Sequence, residues 1–211
     1  MSVSDHQRVE WSAALCSNLE QLTDLHGIVQ DRLDRHDALQ KRLAEALEKV
    51  EQERSEDGNA LSALSTASED AVRRARLVGV KLEMAFLEGT IEEEPYRSVL
   101  AAAYPAGSQS VGTTPAARLD ALERIVAALA QYDAADPEGD LGVLAHEGAR
   151  AIEQANQEAK REQEETEAAA EELSNARVVF DRAYQASKEI VSGLLRDVGR
   201  LDELRDIFPD M

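Results

Sequence analysis

Counted in alternating steps of four and three from Leu15, the chain meets Leu19, Leu22, His26, Val29, Leu33, His36, Gln40, Leu43, Leu47 and Val50, and eight of these eleven positions are aliphatic. Steps averaging about 3.5 residues keep one face of an α-helix toward a neighbour, so the spacing predicts a helix packed along a coiled-coil seam. Ser4 followed three residues later by Gln7 is a capping-box pattern that starts this helix near residue 5. Leu25, Ile28, Leu39 and Ala46 widen the stripe beyond a two-position seam, which predicts more than one packing neighbour. Two hairpins lying side by side would supply one, so a homodimer is the expectation.

The run Glu51 to Asn59 is polar throughout and contains the turn signal Asp57-Gly58. Beyond it the same count resumes in phase at Leu61, Leu64, Ser68, Ala71, Ala75, Val78, Leu82 and Ala85. A turn has no reason to preserve helical phase, whereas one internal glycine costs only ~1 kcal/mol. The pattern therefore predicts one continuous helix over 5–88, ended by Gly89.

Glu94-Pro95 then opens a short helix, since proline is tolerated in a first turn. Residues 104–113 read as a loop, and Thr114-Pro115 supplies an N-cap and first helical residue for a helix to about residue 134. Asp136-Pro137 repeats that signal, and no further proline occurs before Pro209, so a final helix is expected over 137–208. Its seam runs through Ala145, Gly148, Ile152, Ala155, Ala159, Glu162, Thr166, Ala169, Leu173, Ala176, Phe180, Ala183, Ser187, Ile190 and Leu194.

Short connections make sequence neighbours spatial neighbours, so the two long helices should fold back antiparallel. The expected fold is all-α: a single helical domain, 1–211, in which a long antiparallel coiled-coil hairpin of 5–88 and 137–208 carries short helices and a loop, 95–134, at its tip. Placing Trp11 near Phe208 makes positions that sum to about 219 face each other, with the polar stretches meeting between two apolar cores. The alternative is a compact four- or five-helix bundle in which Gly58 and Ser174-Asn175 are turns.

Composition narrows the function. The 211 residues include one cysteine, Cys16, so no disulfide can form within the chain and a reducing compartment is expected. Aromatic residues at 4% argue against a β-sandwich. A net charge of -19 opposes nucleic acid and anionic lipid. No apolar run approaches the ~20 residues that cross a bilayer, so no integral membrane association is expected. The first residues show no signal-peptide pattern, and a cytoplasmic location follows as an expectation. One basic cluster, Arg73, Arg74 and Arg76, is a possible contact patch for an acidic partner or for the chain's own glutamate-rich final helix.

No catalytic constellation is legible. His26, His36 and His146 lack the Glu-x-x-His spacing of carboxylate-bridged di-iron bundles, and His146-Glu147 is not followed by a second histidine at Arg150. Cys16 beside Leu15 and Leu19 reads as a small core residue rather than a nucleophile. Gly107 to Gly112 contains no lysine and follows no strand, so it is no phosphate loop. The expectation is a non-enzymatic, cofactor-free acidic scaffold or adaptor that binds protein partners, or itself, through coiled-coil faces. Leu15, Leu22, Val29, Leu33, Leu43, Leu47, Phe180, Ile190 and Leu194 are the candidate interaction seam. Two alternatives stand beside it: a helical metal-binding protein using His26 and His36, and a delivered helical effector or pore-former that rearranges near residues 77–111.

Overall fold

The computed structural model describes residues 4–20, 22, 27–105 and 111–208, with the Ile28 side chain excepted. Among these the regular elements are helices, with no strand: α1 (Asp5–Glu20), α2 (Gly27–Leu87), α3 (Glu93–Ala103), α4 (Pro115–Gln131), α5 (Asp140–Asp197) and α6 (Leu204–Ile207), with single 3-10 turns at Asp133–Ala135 and Leu201–Glu203. Gly58 lies inside α2, and Ser174 and Asn175 lie inside α5, so the long-helix reading holds at those points and the turns of the compact-bundle alternative do not form. The contacts divide the chain into a terminal unit, 1–55 with 164–211, and a central unit, 56–163; α2 and α5 each contribute to both.

In the terminal unit the capping box forms as the sequence predicts: the Ser4 N–H donates to Gln7 Oε1 and the Gln7 N–H donates to Ser4 Oγ. The helix it starts does not run on to residue 88. It ends at Glu20, and α2 begins separately at Gly27. His6 on α1 meets Glu51 on α2 at 3.4 Å, so α1 lies back along α2 in the opposite direction. Asp5 pairs with Arg177, and Arg8 with Asp181 at 3.1 Å, so α1 runs parallel to α5. The apolar count survived this break because it records which face is apolar, not whether the chain is continuous. The wide stripe of α2 therefore meets its second neighbour within the chain.

Within this three-helix core, Leu15, Leu19, Leu22, Val29, Leu43 and Val50 pack against Ala169, Leu173, Ala176, Phe180, Tyr184, Val191 and Leu195. Lys49 contacts Glu172 at 3.0 Å and His36 contacts Ser187 at 2.8 Å, so α2 and α5 are antiparallel here. The final helix stops at Asp197 rather than 208. Gly199 takes φ +74°, a conformation favouring glycine, while the Arg200 N–H donates to the Leu195 carbonyl at 2.8 Å and closes the helix end. The chain then turns back, and Ile207 and Phe208 enter the core. Asn18, at the end of α1, holds this return by donating to the Asp206 carbonyl at 2.9 Å, in the place where the expected register set Trp11.

The central unit packs Ala71, Ala75, Val78 and Leu82 of α2 with Val99 of α3, Leu122, Ile125 and Leu129 of α4, and Leu141, Ala145 and Ile152 of α5. Arg74 reaches Glu147 at 2.8 Å across antiparallel α2 and α5. Gly148 lets α2 and α4 approach α5 closely, since a Cβ there would stand 3.1 Å from Leu122 Cδ1 and 3.0 Å from Arg74 Cδ and would push those side chains back. Thr114 caps α4 as predicted, its side chain accepting from the Ala117 N–H at 3.2 Å. Asp136 also caps, but further along than expected: its carboxylate accepts from the Leu141 and Gly142 N–H groups, and α5 starts at Asp140. The Tyr104 hydroxyl donates to the Ala75 carbonyl at 2.6 Å, and burial raises its pKa to about 12.

One row shifts by a residue. Ala60 is buried where the count places Leu61, which is 53% exposed. Steps of three and four average the same in either order, so periodicity alone cannot separate neighbouring phases.

Candidate interaction surface

The predicted seam is occupied within the chain. Leu15, Leu22, Val29, Leu43 and Phe180 are buried in the terminal core, and Leu33, Leu47 and Leu194 pack half-buried against it. Ile190 is also half-buried. Burying these groups removes apolar area from water at about 25 cal/mol per Å², which holds the unit together.

His26 lies outside the described residues. His36 is fully buried, with Nε2 2.8 Å from Ser187 Oγ and its ring edge-on to Phe180 and Tyr184. Burial drives its pKa down to about 4, helped by the positive charges of Arg32 and Arg35. Among the described residues no group of three or more potential metal ligands includes it. Cys16 is half-buried, and burial, then the negative charges of Asp37 and Glu20, raise its thiol pKa. The thiol is thereby kept protonated, the less nucleophilic state.

Arg73 and Arg74 of the basic cluster both reach Asp70 on α2. Arg74 donates to Asp70 at 2.6 Å and to Glu147 at 2.8 Å, so it serves the chain's own α5. Arg73 contacts Asp70 at 3.3 Å with its side chain 72% exposed, and Arg76 is exposed. Arg73 and Arg76, three residues apart, are the two exposed members of the cluster.

The face that sequence reasoning missed lies on the last turns of α2. Leu77, Val80, Met84 and Leu87 are all exposed, Leu87 to 75%, and their steps of three, four and three place them in one row along the helix. Val78 and Leu82, between them in sequence, point into the core. This part of α2 is therefore apolar on two faces, and only one is covered by the central unit. The signal was present in the sequence as a second apolar row, but the core row drew the count. Beside Met84 and Ala85 the row opens into a groove of about 330 Å³, lined also by Ile91, Ala135, Pro137 and Leu141, with Glu88, Glu138 and Asp140 at its edge.

The four side chains of the row are apolar and carry no acid, base or nucleophile. No helix of the described residues is long and apolar enough to cross a membrane. No family model matches the sequence, no curated protein matches it, and no solved structure matches the fold, so the side chains alone carry the functional reading.

Proposed function

We propose that this chain is a non-enzymatic acidic helical adaptor of the cytoplasm that assembles with protein partners through an outward helix face. The observation that carries this reading is the exposed row Leu77, Val80, Met84 and Leu87, set on a helix whose opposite face is already packed. Monomeric soluble proteins seldom leave contiguous apolar surface uncovered unless something binds there. The two-faced helix also suits the task, since its inner row fixes the orientation in which the outer row is presented. The raised thiol pKa of Cys16 and the core position of His36 favour this reading over a catalytic one.

The test compares the native chain in gently lysed source cells with the purified chain on one size-exclusion column. An adaptor elutes in a larger assembly, and the double variant Val80→Glu/Met84→Glu returns to the position of the purified chain. Elution of the native chain at the free position overturns the reading.

A further inference from the structure

The charges beside the exposed row indicate what covers it. Arg76 and Lys81 flank its beginning; Glu83 and Glu88 flank its end. All four side chains belong to exposed residues, and none forms an ion pair among the described residues. In helix pairs, the positions beside the apolar row select partner and orientation.

A second copy of this chain fits less well than a basic partner. In a parallel pair Arg76 would face the second copy's Lys81, and Glu83 would face its Glu88. In an antiparallel pair centred on the row, Lys81 would face Lys81 and Glu83 would face Glu83. Like charges therefore meet along the parallel pair and at the centre of the antiparallel one. Only the outer contacts of the antiparallel pair, Arg76 with Glu83 and Lys81 with Glu88, are complementary, between chains that each carry -19. Acid outnumbers base where the row runs into the groove: Glu88 on α2 is joined there by Glu138 and Asp140, while Lys81 is the base among the groove's described lining residues. Asp136 is already engaged by the two N–H groups that it caps.

Resting on the adaptor reading, we infer that the row and groove dock an amphipathic helix of a different protein, one with apolar residues at three- and four-residue spacing and lysine or arginine over the acidic end. Apolar anchors of that helix cover Leu77, Val80, Met84 and Leu87, and its basic residues reach Glu88, Glu138 and Asp140. The flexible thioether of Met84, at the mouth of the groove, adjusts to anchors of different shape.

The experiment uses the intact chain and three synthetic helices of about 21 residues, a length of about 30 Å. One carries leucines at the apolar spacing and lysines in its flanks; one replaces the lysines with glutamates; one keeps the lysines and replaces the leucines with serines. Fluorescence anisotropy should show the leucine-lysine helix binding about tenfold or more tightly than either control. Met84→Glu decides between docking and general attraction to an acidic protein. It adds negative charge, so unspecific attraction to lysine would strengthen, whereas docking weakens about tenfold. Because Met84 is exposed, circular dichroism should show the variant's helix content unchanged. Equal binding of the three helices, or tighter binding by Met84→Glu, overturns the proposal. So does a dimer mass by light scattering that Met84→Glu abolishes, which assigns the row to a second copy, or binding of the chain to phosphatidylcholine vesicles through it. If the helices fail while the native chain still elutes in a large assembly, this docking assignment falls and the adaptor reading stands; if that assembly is absent, the adaptor reading itself falls.

Discussion

His36 on α2 and Ser187 on α5 meet inside the terminal unit, Nε2 to Oγ at 2.8 Å, and neither side chain reaches solvent. Their partnership satisfies one ring nitrogen, while Nδ1 meets no hydrogen-bond partner among the described residues. A neutral ring tolerates that arrangement at modest cost. A protonated ring would place a charge among Phe180, Tyr184 and the nearby cations Arg32 and Arg35.

Acid should therefore loosen the terminal unit as the pH falls below about 6.5. The ring's pKa falls from 6.5 in the unfolded chain to about 4 in the fold, so the unfolded state binds the proton more readily between those values. Stability is full above pH 6.5, declines as the pH falls toward 4, and levels off below it; the loss is on the order of 3 kcal/mol. Urea unfolding at pH 7, 6, 5 and 4.5 measures this. His36→Gln cannot take up the proton, so its stability curve should be flatter than that of the wild type across this range. Parallel curves for the two proteins would show that His36 does not titrate in this way.

Truncation should separate the two apolar rows by their energies. Phe180→Ala empties a fully buried site in the terminal core and should cost about 3–5 kcal/mol. Met84→Ala, on the exposed row, should stay within about 0.5 kcal/mol of wild type. Chemical denaturation of the isolated chain reads both. A large loss for Met84→Ala would mean that the outer row is packed within the chain rather than presented.

The thiol of Cys16 should react slowly. Its pKa is raised by burial and by Asp37 and Glu20, so at pH 8 a smaller fraction is thiolate than in a free cysteine. The rate with a chromogenic disulfide reagent should be well below that of glutathione and should approach it in denaturant. A folded-state rate equal to that of glutathione would point instead to an accessible, activated thiol.

Much of this architecture was legible because it depends on local chemistry. The Ser4 and Thr114 caps, the stop at Gly89 and the row from Ala145 to Ser187 along α5 all follow from residue type and spacing. Two features were not legible. The separation of α1 from α2 leaves the apolar phase unchanged, and only the cluster Thr23, Asp24 and Gly27 hinted at it, as turn-forming residues inside a helical pattern. The exposed row was hidden by the core row that it shares a helix with: the count places Val78 on the core row, but nothing in the spacing says whether the second row through Val80 is covered, and in the fold it is exposed. The broad stripe of the first helical region points to more than one packing neighbour, and α1 is one of them within the chain. Sequence recorded how wide the face was, not what covered it.

The continuity of α2 through its polar stretch has a direct test in two glycines. Gly58 lies within α2, and a Cβ added there would meet nothing within 4 Å. Gly58→Ala should therefore stabilise the protein by about 0.5–1 kcal/mol, because alanine restricts the unfolded chain and suits a helix interior. Gly89 provides the contrast: it takes φ +74° just past the end of α2, so Gly89→Ala should destabilise by about 1 kcal/mol although it too has open space around it. Guanidinium unfolding followed by helical circular dichroism measures both. Opposite signs support a helix running through residue 58 and stopping at 89. A loss of stability for Gly58→Ala would place a turn there instead, and with it the two-faced helix on which the outer row depends would have to be redrawn.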